Sequence, residues 1–543
     1  MINNYFQFFH DQPYSFFNED HLRQQFRAGL LPTAVQYALF AIAFRFSIQS
    51  NIHANPGQAQ HYADMAWSAA MAQCFGNEEG PDYRMVQALT LLAIYDFTEC
   101  KHRGAWIKIG LSATIAQALH MMADPDPTLP LVVQEERRRT FWSIYLLDKM
   151  GTCGRVRPPI FQDHTCLLRL PGEESPSSPG NLRHAPTLQA FFSTPDCDLG
   201  ELEPFAKTTI LVSTVSQIAT YAFQLGSGLD AKPPWDHASE YAILASKLHG
   251  FGAYFETWKP ISNTILTTLG RDLDLNRSAS EPFLFSYVVF HLCQCLLQHP
   301  FLLRRHIRGS SPRFSSFFNT ATKSGYEHAQ ELTHTLAFAR QSGYKAAASF
   351  YGYSSLVAAS INALYQYSDD ETTRQQARSA LSANVVFLEQ HSLYWPNAAK
   401  MVVTLDKFML KVTDYKSLID ITCEVVHLSE SDIDYLYSVV DYGSLSTNAA
   451  TDRLYQNRDN APAITPFNQV GSIHHGTNMV RADIFNNFNG APTPTPGMPA
   501  YVPDLGGNLE FNFSSNHPQQ EPDFYAQFFN DLTLPTQGAT IDP

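Results

Sequence analysis

Basic residues are scarce in this chain. Lys and Arg number 37 against 51 Asp and Glu, giving a net charge of −14 over 543 residues. Phosphate contacts need clustered cations, so the chain is a poor stand-alone binder of nucleic acid. The cysteines Cys74, Cys100, Cys153, Cys166, Cys197, Cys293, Cys295 and Cys423 include no C-x-x-C pair, so the strongest zinc-site spacing is missing. On a helix Cys293 and Cys295 would point about 200° apart and could not grip one metal ion. Scattered cysteines of this kind read as buried free thiols in a reducing compartment. Residues 1–10 lack the basic and apolar regions of a signal peptide. The apolar stretch 34–48 is broken by Arg45, and 283–297 holds His291 and Gln294. Both fall short of a membrane span of ~20 residues and read as buried helices. No Gly-rich phosphate loop, G-x-S-x-G or H-E-x-x-H occurs.

Aromatic residues, by contrast, make up 13% of the chain and hydrophobic residues 44%, enough for one large core or two fused ones. Up to about 170, helical runs alternate with short breaks: 34–46, 62–74, 83–97, one from Ala105, and 135–149. In the fourth, Ile107, Leu111, Ile115, Leu119 and Met122 recur at spacings of four and three and are expected to form its apolar face. In the fifth, Phe141, Ile144 and Tyr145 form the inner stripe. Residues 171–204 include a run rich in Pro, Gly and Ser and read as a loop or linker. Helical periodicity returns over 205–440, including 283–303 as one helix, and hardly any period-2 segment appears. The expected fold is all-α: a large helical bundle-like regulatory domain in two parts, 1–170 and 205–440, followed by a disordered tail over 441–543.

Several segments carry a resemblance. Residues 137–158 read RRRTFWSIYLLDKMGTCGRVRP, with Arg139, Phe141, Trp142 and Asp148 followed by Gly154, Arg155 and Pro158. Residues 86–120 place Gln87, Leu92, Gly104, Trp106, Gly110 and Leu119 along two consecutive helices, and 287–301 end in His-Pro-Phe. Together, and in this order, they resemble the fungal-specific transcription factor domain, the middle regulatory region of fungal zinc binuclear cluster regulators. The match is strong over about 5–171 and diffuse over 205–440. The loop departs from the family's Gly-Arg-Pro, because Val156 and Arg157 intervene before Pro158. As single residues these positions look structural. Phe141 and Trp142 are apolar anchors, Arg139 and Asp148 are braces for the helix or loop, and Gly104 and Gly110 are points of close approach or turns. A direct effector contact through Trp142 or Arg155 is the competing reading. Arg137–Arg139 and Arg304–Arg308 have the composition of import signals but sit in helical patterns, where a solvated face is the simpler expectation.

The tail has its own character. After Arg481 no Lys or Arg occurs, and seven acids supply half of the net charge. Residues 522–534 read PDFYAQFFNDLTL. Asp523 and Asp531 flank Phe524, Tyr525, Phe528, Phe529 and Leu532, and positions 524, 528 and 532 fall on one helical face. Acidic residues keep aromatics solvated until they fold into a coactivator groove, which is the composition of an activation region. A strap packing back on the body is the alternative.

The resemblance implies a nuclear transcription regulator, expected to be an activator, of a pathway such as a secondary-metabolite gene cluster. Its partners would be coactivators through the tail, a second copy or a relative in a homo- or heterodimer, and a small-molecule effector, with no membrane. The family's six-cysteine DNA reader is not in this chain. DNA is therefore expected only through a cluster missing from the sequence or through a partner, and zinc only with such a cluster; no cofactor, catalytic, metal or DNA-contacting residue is identified here. Two alternatives stand beside this. One is a regulator without DNA binding that heterodimerises with full-length relatives. The other is a helical enzyme of isoprenoid-cyclase type, for which Asp369-Asp370-Glu371 is the one magnesium candidate and lacks a partner cluster.

Overall fold

A computed structural model describes residues 1–47, 57–76, 80–155, 157–172, 185–193, 199–223, 232–256, 277–306, 312–344, 346–420 and 426–445. The chain divides into two compact units, Met1–Ala461 and Pro462–Pro543, and every described residue lies in the first. The described residues form 17 α-helices and no strand, with one isolated bridge between Arg169 and Thr187. In chain order the helices are α1 (Ile2–Phe8), α2 (Glu19–Arg27), α3 (Thr33–Phe44), α4 (Gly57–Gly76), α5 (Tyr83–Thr98), α6 (His102–Ala118), α7 (Leu131–Met150), α8 (Leu188–Ser193), α9 (Pro204–Phe223), α10 (Glu240–Glu256), α11 (Arg277–Leu297), α12 (Pro300–His306), α13 (Pro312–Gln341), α14 (Phe350–Tyr365), α15 (Glu371–His391), α16 (Pro396–Lys411) and α17 (Glu430–Val440).

Two helices are enclosed on every side. In α5 each residue from Met85 to Thr98 is buried, with α3, α4, α6 and α7 packed around it. In α14 burial runs from Phe350 to Leu364, among α11, α13, α15 and α16. α9 joins the two groups by packing on α7 and α11. An all-round apolar helix is stable only when neighbours cover every face, so these two helices fix the centre of each half.

Helix ends follow from side-chain chemistry. Asp82 caps α5 by accepting from Arg84 N–H. Ser429 and Asp432 close a reciprocal capping box on α17. The Asp369-Asp370-Glu371 run is spent on the start of α15, where Asp370 accepts from Thr373 N–H and Glu371 pairs with Arg374.

Two elements differ from the sequence expectation. The 283–303 run is two helices, because Pro300 has no N–H to continue the ladder. At the break His299 Nδ1 accepts the Phe301 N–H at 3.2 Å, and its Nε2–H donates to Ser360 Oγ at 3.0 Å. The Ser360 hydroxyl passes the chain on to the Val357 carbonyl. The His-Pro-Phe signature is thus a neutral imidazole pinning the α11–α12 corner onto α14. In α6 the expected apolar face holds only in part: Ile115 is buried and Leu111, Leu119 and Met122 pack against the core, but Ile107 is 67% exposed. The inner face is Ala105, Ile109, Ser112, Ala113, Ile115 and Ala116. The small residues Ala105, Ser112 and Ala113 let α6 approach α5 closely, with Ser112 Oγ 2.9 Å from Thr90 Oγ1, and Ile107 is left outside that contact. The apolar segment Ser280–Leu297 meets the length and hydropathy of a membrane span but is almost wholly buried inside the body.

Candidate functional site

The motif helix α7 supplies the frame. Arg139 Nε bonds Glu135 at 3.0 Å, its Nη2 bonds Glu203 at 2.6 Å, and its Nη1 donates to Ser15 Oγ at 3.0 Å. Burial pushes the Glu203 carboxyl up to about 7 despite the Arg139 guanidinium, with Glu135 adding to the rise. Arg138, 3% exposed, pairs with Glu135 at 2.6 Å and Asp124 at 3.4 Å, and Arg137 lies over the Tyr83 ring. The expectation of a solvated basic face at 137–139 is therefore corrected. Glu135, wholly buried, lies three and four residues before Arg138 and Arg139 and draws both inward. Arg304 likewise turns to protein, donating to the carbonyls of Ser417, Leu418 and Asp420; Arg308 lies outside the described residues.

Phe141 and Trp142 are fully buried. Phe141 meets Phe161 edge-on at 5.2 Å, and Trp142 Nε1–H donates to the Arg169 carbonyl at 2.9 Å. Gln87, buried on α5, ties α7 to the N-terminal segment by donating to Thr140 Oγ1 and the Phe16 carbonyl. Asp148 Oδ2 accepts the N–H groups of Ile160 and Phe161 at 2.8 and 3.0 Å, with Arg157 at 3.5 Å from Oδ1. Burial raises the Asp148 carboxyl, and these N–H groups and Arg157 pull it back. Asp148 thus holds the return of the loop after α7.

The loop itself meets the far end of the body. Tyr442 N–H donates to the Cys153 carbonyl at 2.8 Å, and Arg155 N–H donates to Asp441 Oδ2 at 3.1 Å. A Cβ on Gly154 would fall 2.0 Å from Asp441 Oδ1, so only glycine admits this carboxylate. The Arg155 side chain reaches Asp434 at 2.7 Å and lies over the Tyr437 ring at 4.5 Å. Asp441 and Tyr442 are buried, so the body extends past the 441 boundary expected for the tail. Arg157 turns the other way and stacks on Trp106 at 4.3 Å. Pro158 is exposed. Gly110 has open space where a Cβ would be, so it is not the point of close approach expected of it; Gly104 is, against Asp96 Oδ2 at 2.8 Å.

Between the α5–α6 turn and this loop lies a cavity of about 540 Å³. Its walls are residues Cys100 to Gly104, Trp106, Gly151, Gly154, Arg157, Asp441 and Gly443. Cys100 turns the chain with φ +61°. His102 is buried and stacks on Phe97 at 4.4 Å. Burial, reinforced by Lys400, holds its imidazole down at about 4. The sequence reading missed His102, Asp441 and the cavity. One local signal was present: Lys101, His102 and Arg103 stand in series at a helix start, where the helix dipole disfavours cations.

The six described cysteines are buried free thiols, and no three metal-ligating side chains converge among the described residues. Cys197, Cys423 and the whole set Asp523, Phe524, Tyr525, Phe528, Phe529, Asp531 and Leu532 lie outside the described residues.

Comparison with known proteins agrees with the motif. Residues 2–227 match the fungal specific transcription factor domain. The chain is 24% identical over 445 residues to the Zn(2)-C6 fungal-type transcription factor FTF1c of Fusarium oxysporum f. sp. lycopersici, covering 77% of this chain and 45% of that protein. It is 23% identical over 413 residues to FTF2 of the same organism, covering 72% and 37%. To the citrinin biosynthesis transcriptional activator ctnR of Monascus purpureus it is 25% identical over 247 residues, covering 43% and 42%. The chain spans less than half the length of these curated relatives. No solved structure matches. These relatives are named as transcription factors and not as enzymes. The ordered motif of α5 to α7 falls inside that match, so residues 2–227 are similar to the fungal specific transcription factor domain in sequence and in the placing of its motif residues.

Proposed function

We propose that this chain is the regulatory body and activating tail of a nuclear transcription activator that controls a biosynthetic gene cluster. The observation that carries the reading is the family match over residues 2–227, joined in one chain to a tail in which acids bracket aromatic residues. The helical body supplies regulation and dimerisation. The segment around Phe524, Phe528 and Leu532 recruits coactivators by folding into an apolar groove. DNA is reached through a zinc cluster outside this stretch of sequence or through a partner. The name of the Monascus relative, an activator of citrinin biosynthesis, supports a biosynthetic cluster as the target.

The test is a reporter assay in fungal cells with the full chain fused to an unrelated DNA-binding domain. The fusion activates the reporter, and Phe524→Ala with Phe528→Ala abolishes most of the signal at equal protein level. A silent fusion, or full activity in the double variant, would remove the activation role from this segment.

A further inference from the structure

The cavity beside the motif loop is furnished for a negative charge. α6 begins at it with Lys101 as N-cap, whose side chain makes no cap, and with no acid in the first turn. The N–H groups of His102, Arg103 and Gly104 have no carbonyl one turn earlier in the helix to receive them. Cations at such an end oppose the helix dipole, and local conflicts of this kind gather at functional sites. Three side chains add donors. Arg157 reaches in from the loop with its Nη1 buried and without a hydrogen-bond partner; Asp148 at 3.5 Å and the Trp106 ring are its neighbours. Arg103 stands exposed at the rim, and Lys101 beside it leans on Gln60 and the Tyr95 ring. His102 is 4% exposed, and neither ring nitrogen makes a hydrogen bond of ordinary geometry, the Gly443 backbone being its polar contact.

The acidic groups nearby are already engaged. Asp441 is held by the N–H groups of Arg155 and Gly443, and Asp96, under Gly104, is paired with Lys108. The cavity volume of about 540 Å³ is that of a metabolite site, larger than a lone ion requires. The departure from Gly-Arg-Pro at 154–158 matters here: it gives the loop two arginines, one spent on Asp434 and the other left facing the cavity.

We infer that this cavity binds a small organic anion, a carboxylate- or phosphate-bearing metabolite, whose charged group sits at the N-terminus of α6 between Arg103 and Arg157. The site is independent of the activation reading, because it lies wholly within the described body. Its occupant would touch Asp441 and Gly443, among the last described residues before the acidic segment in sequence.

The purified full chain is titrated with citrate and, separately, with pyrophosphate, at constant ionic strength and with sulfate as the control for general salt stabilisation. Binding is read by calorimetry and by the shift in melting temperature. We expect saturable binding of at least one probe, with citrate or pyrophosphate preferred according to whether the natural ligand is a carboxylate or a phosphate. Affinity falls at least tenfold in Arg103→Glu and in Arg157→Gln and is unchanged in Arg23→Glu on α2. Because Arg157 also braces Asp148, the exposed Arg103 carries the decision if Arg157→Gln unfolds. No saturable binding of either probe overturns the inference, as does equal binding in Arg103→Glu.

Discussion

The contact of Gly154 with Asp441 makes a sharp test of how the body is closed. Asp441 is 3% exposed and accepts the N–H groups of Arg155 at 3.1 Å and Gly443 at 2.8 Å. Hydrogen bonds to a buried charge contribute about 1.5–3 kcal/mol each, so Asp441→Ala is expected to cost about 3 kcal/mol. Gly154→Ala would place a methyl 2.0 Å from Asp441 Oδ1 and 2.8 Å from its Cγ. The carboxylate must leave, and the same bonds are lost, so the cost is again about 3 kcal/mol. In the double variant the methyl fills space that Asp441 no longer occupies, and the total should stay close to that of either single change. The coupling energy is then about 2–3 kcal/mol, well beyond the ~0.5 kcal/mol of independent sites. Equilibrium denaturation in urea of the four proteins measures it. Gly110→Ala on α6 is the control, with nothing within 4 Å of its new Cβ and an expected gain of up to about 1 kcal/mol. Additive costs for the pair would refute the contact as the closure of the body.

Trp142→Ala removes a fully buried indole and its bond to the Arg169 carbonyl, and should cost about 3–5 kcal/mol; an unchanged melting temperature would place Trp142 on the surface. Acid should also unfold the body early. The imidazoles of His102 and His391 are held at about 4, and that of His299 at about 3, chiefly by burial. Each folded value lies below the unfolded 6.5, so the unfolded chain takes up protons first, and stability falls as pH drops from 6.5 toward 4. Each histidine adds a slope of up to about 1.4 kcal/mol per pH unit. Glu203, raised to about 7, opposes them over part of the range, because the folded state protonates it first. Urea midpoints between pH 6 and 4.5 check this: His299→Gln should show a shallower slope than the parent, and an equal slope would mean that His299 does not titrate in this way. The reporter and ligand experiments above complete the set.

Much of the fold was legible because helix formation is a local matter. Apolar residues spaced at 3.6, prolines and caps within a turn mark helices such as α5, α7 and α15 without knowledge of their neighbours. The order Arg139, Phe141, Trp142, Asp148 likewise announces an anchored helix, since large aromatics at that spacing must be covered. What the helices cover was not legible. On α6 the close approach to α5 left Ile107 in solvent and brought Ala105, Ile109 and Ala113 into the buried face beside Ile115. The basic run at 137–139 was turned inward by buried Glu135 and, from the start of α9, Glu203. Asp441 meets Arg155 from 286 residues away, a separation over which no periodicity survives. The composition and local spacing of this chain therefore determined that it is helical and which helix carries the aromatic anchor. Only tertiary packing could bring the α6 start, the loop after α7 and the end of the body around one cavity, because burial and charge pairing between distant segments depend on where the chain folds back on itself.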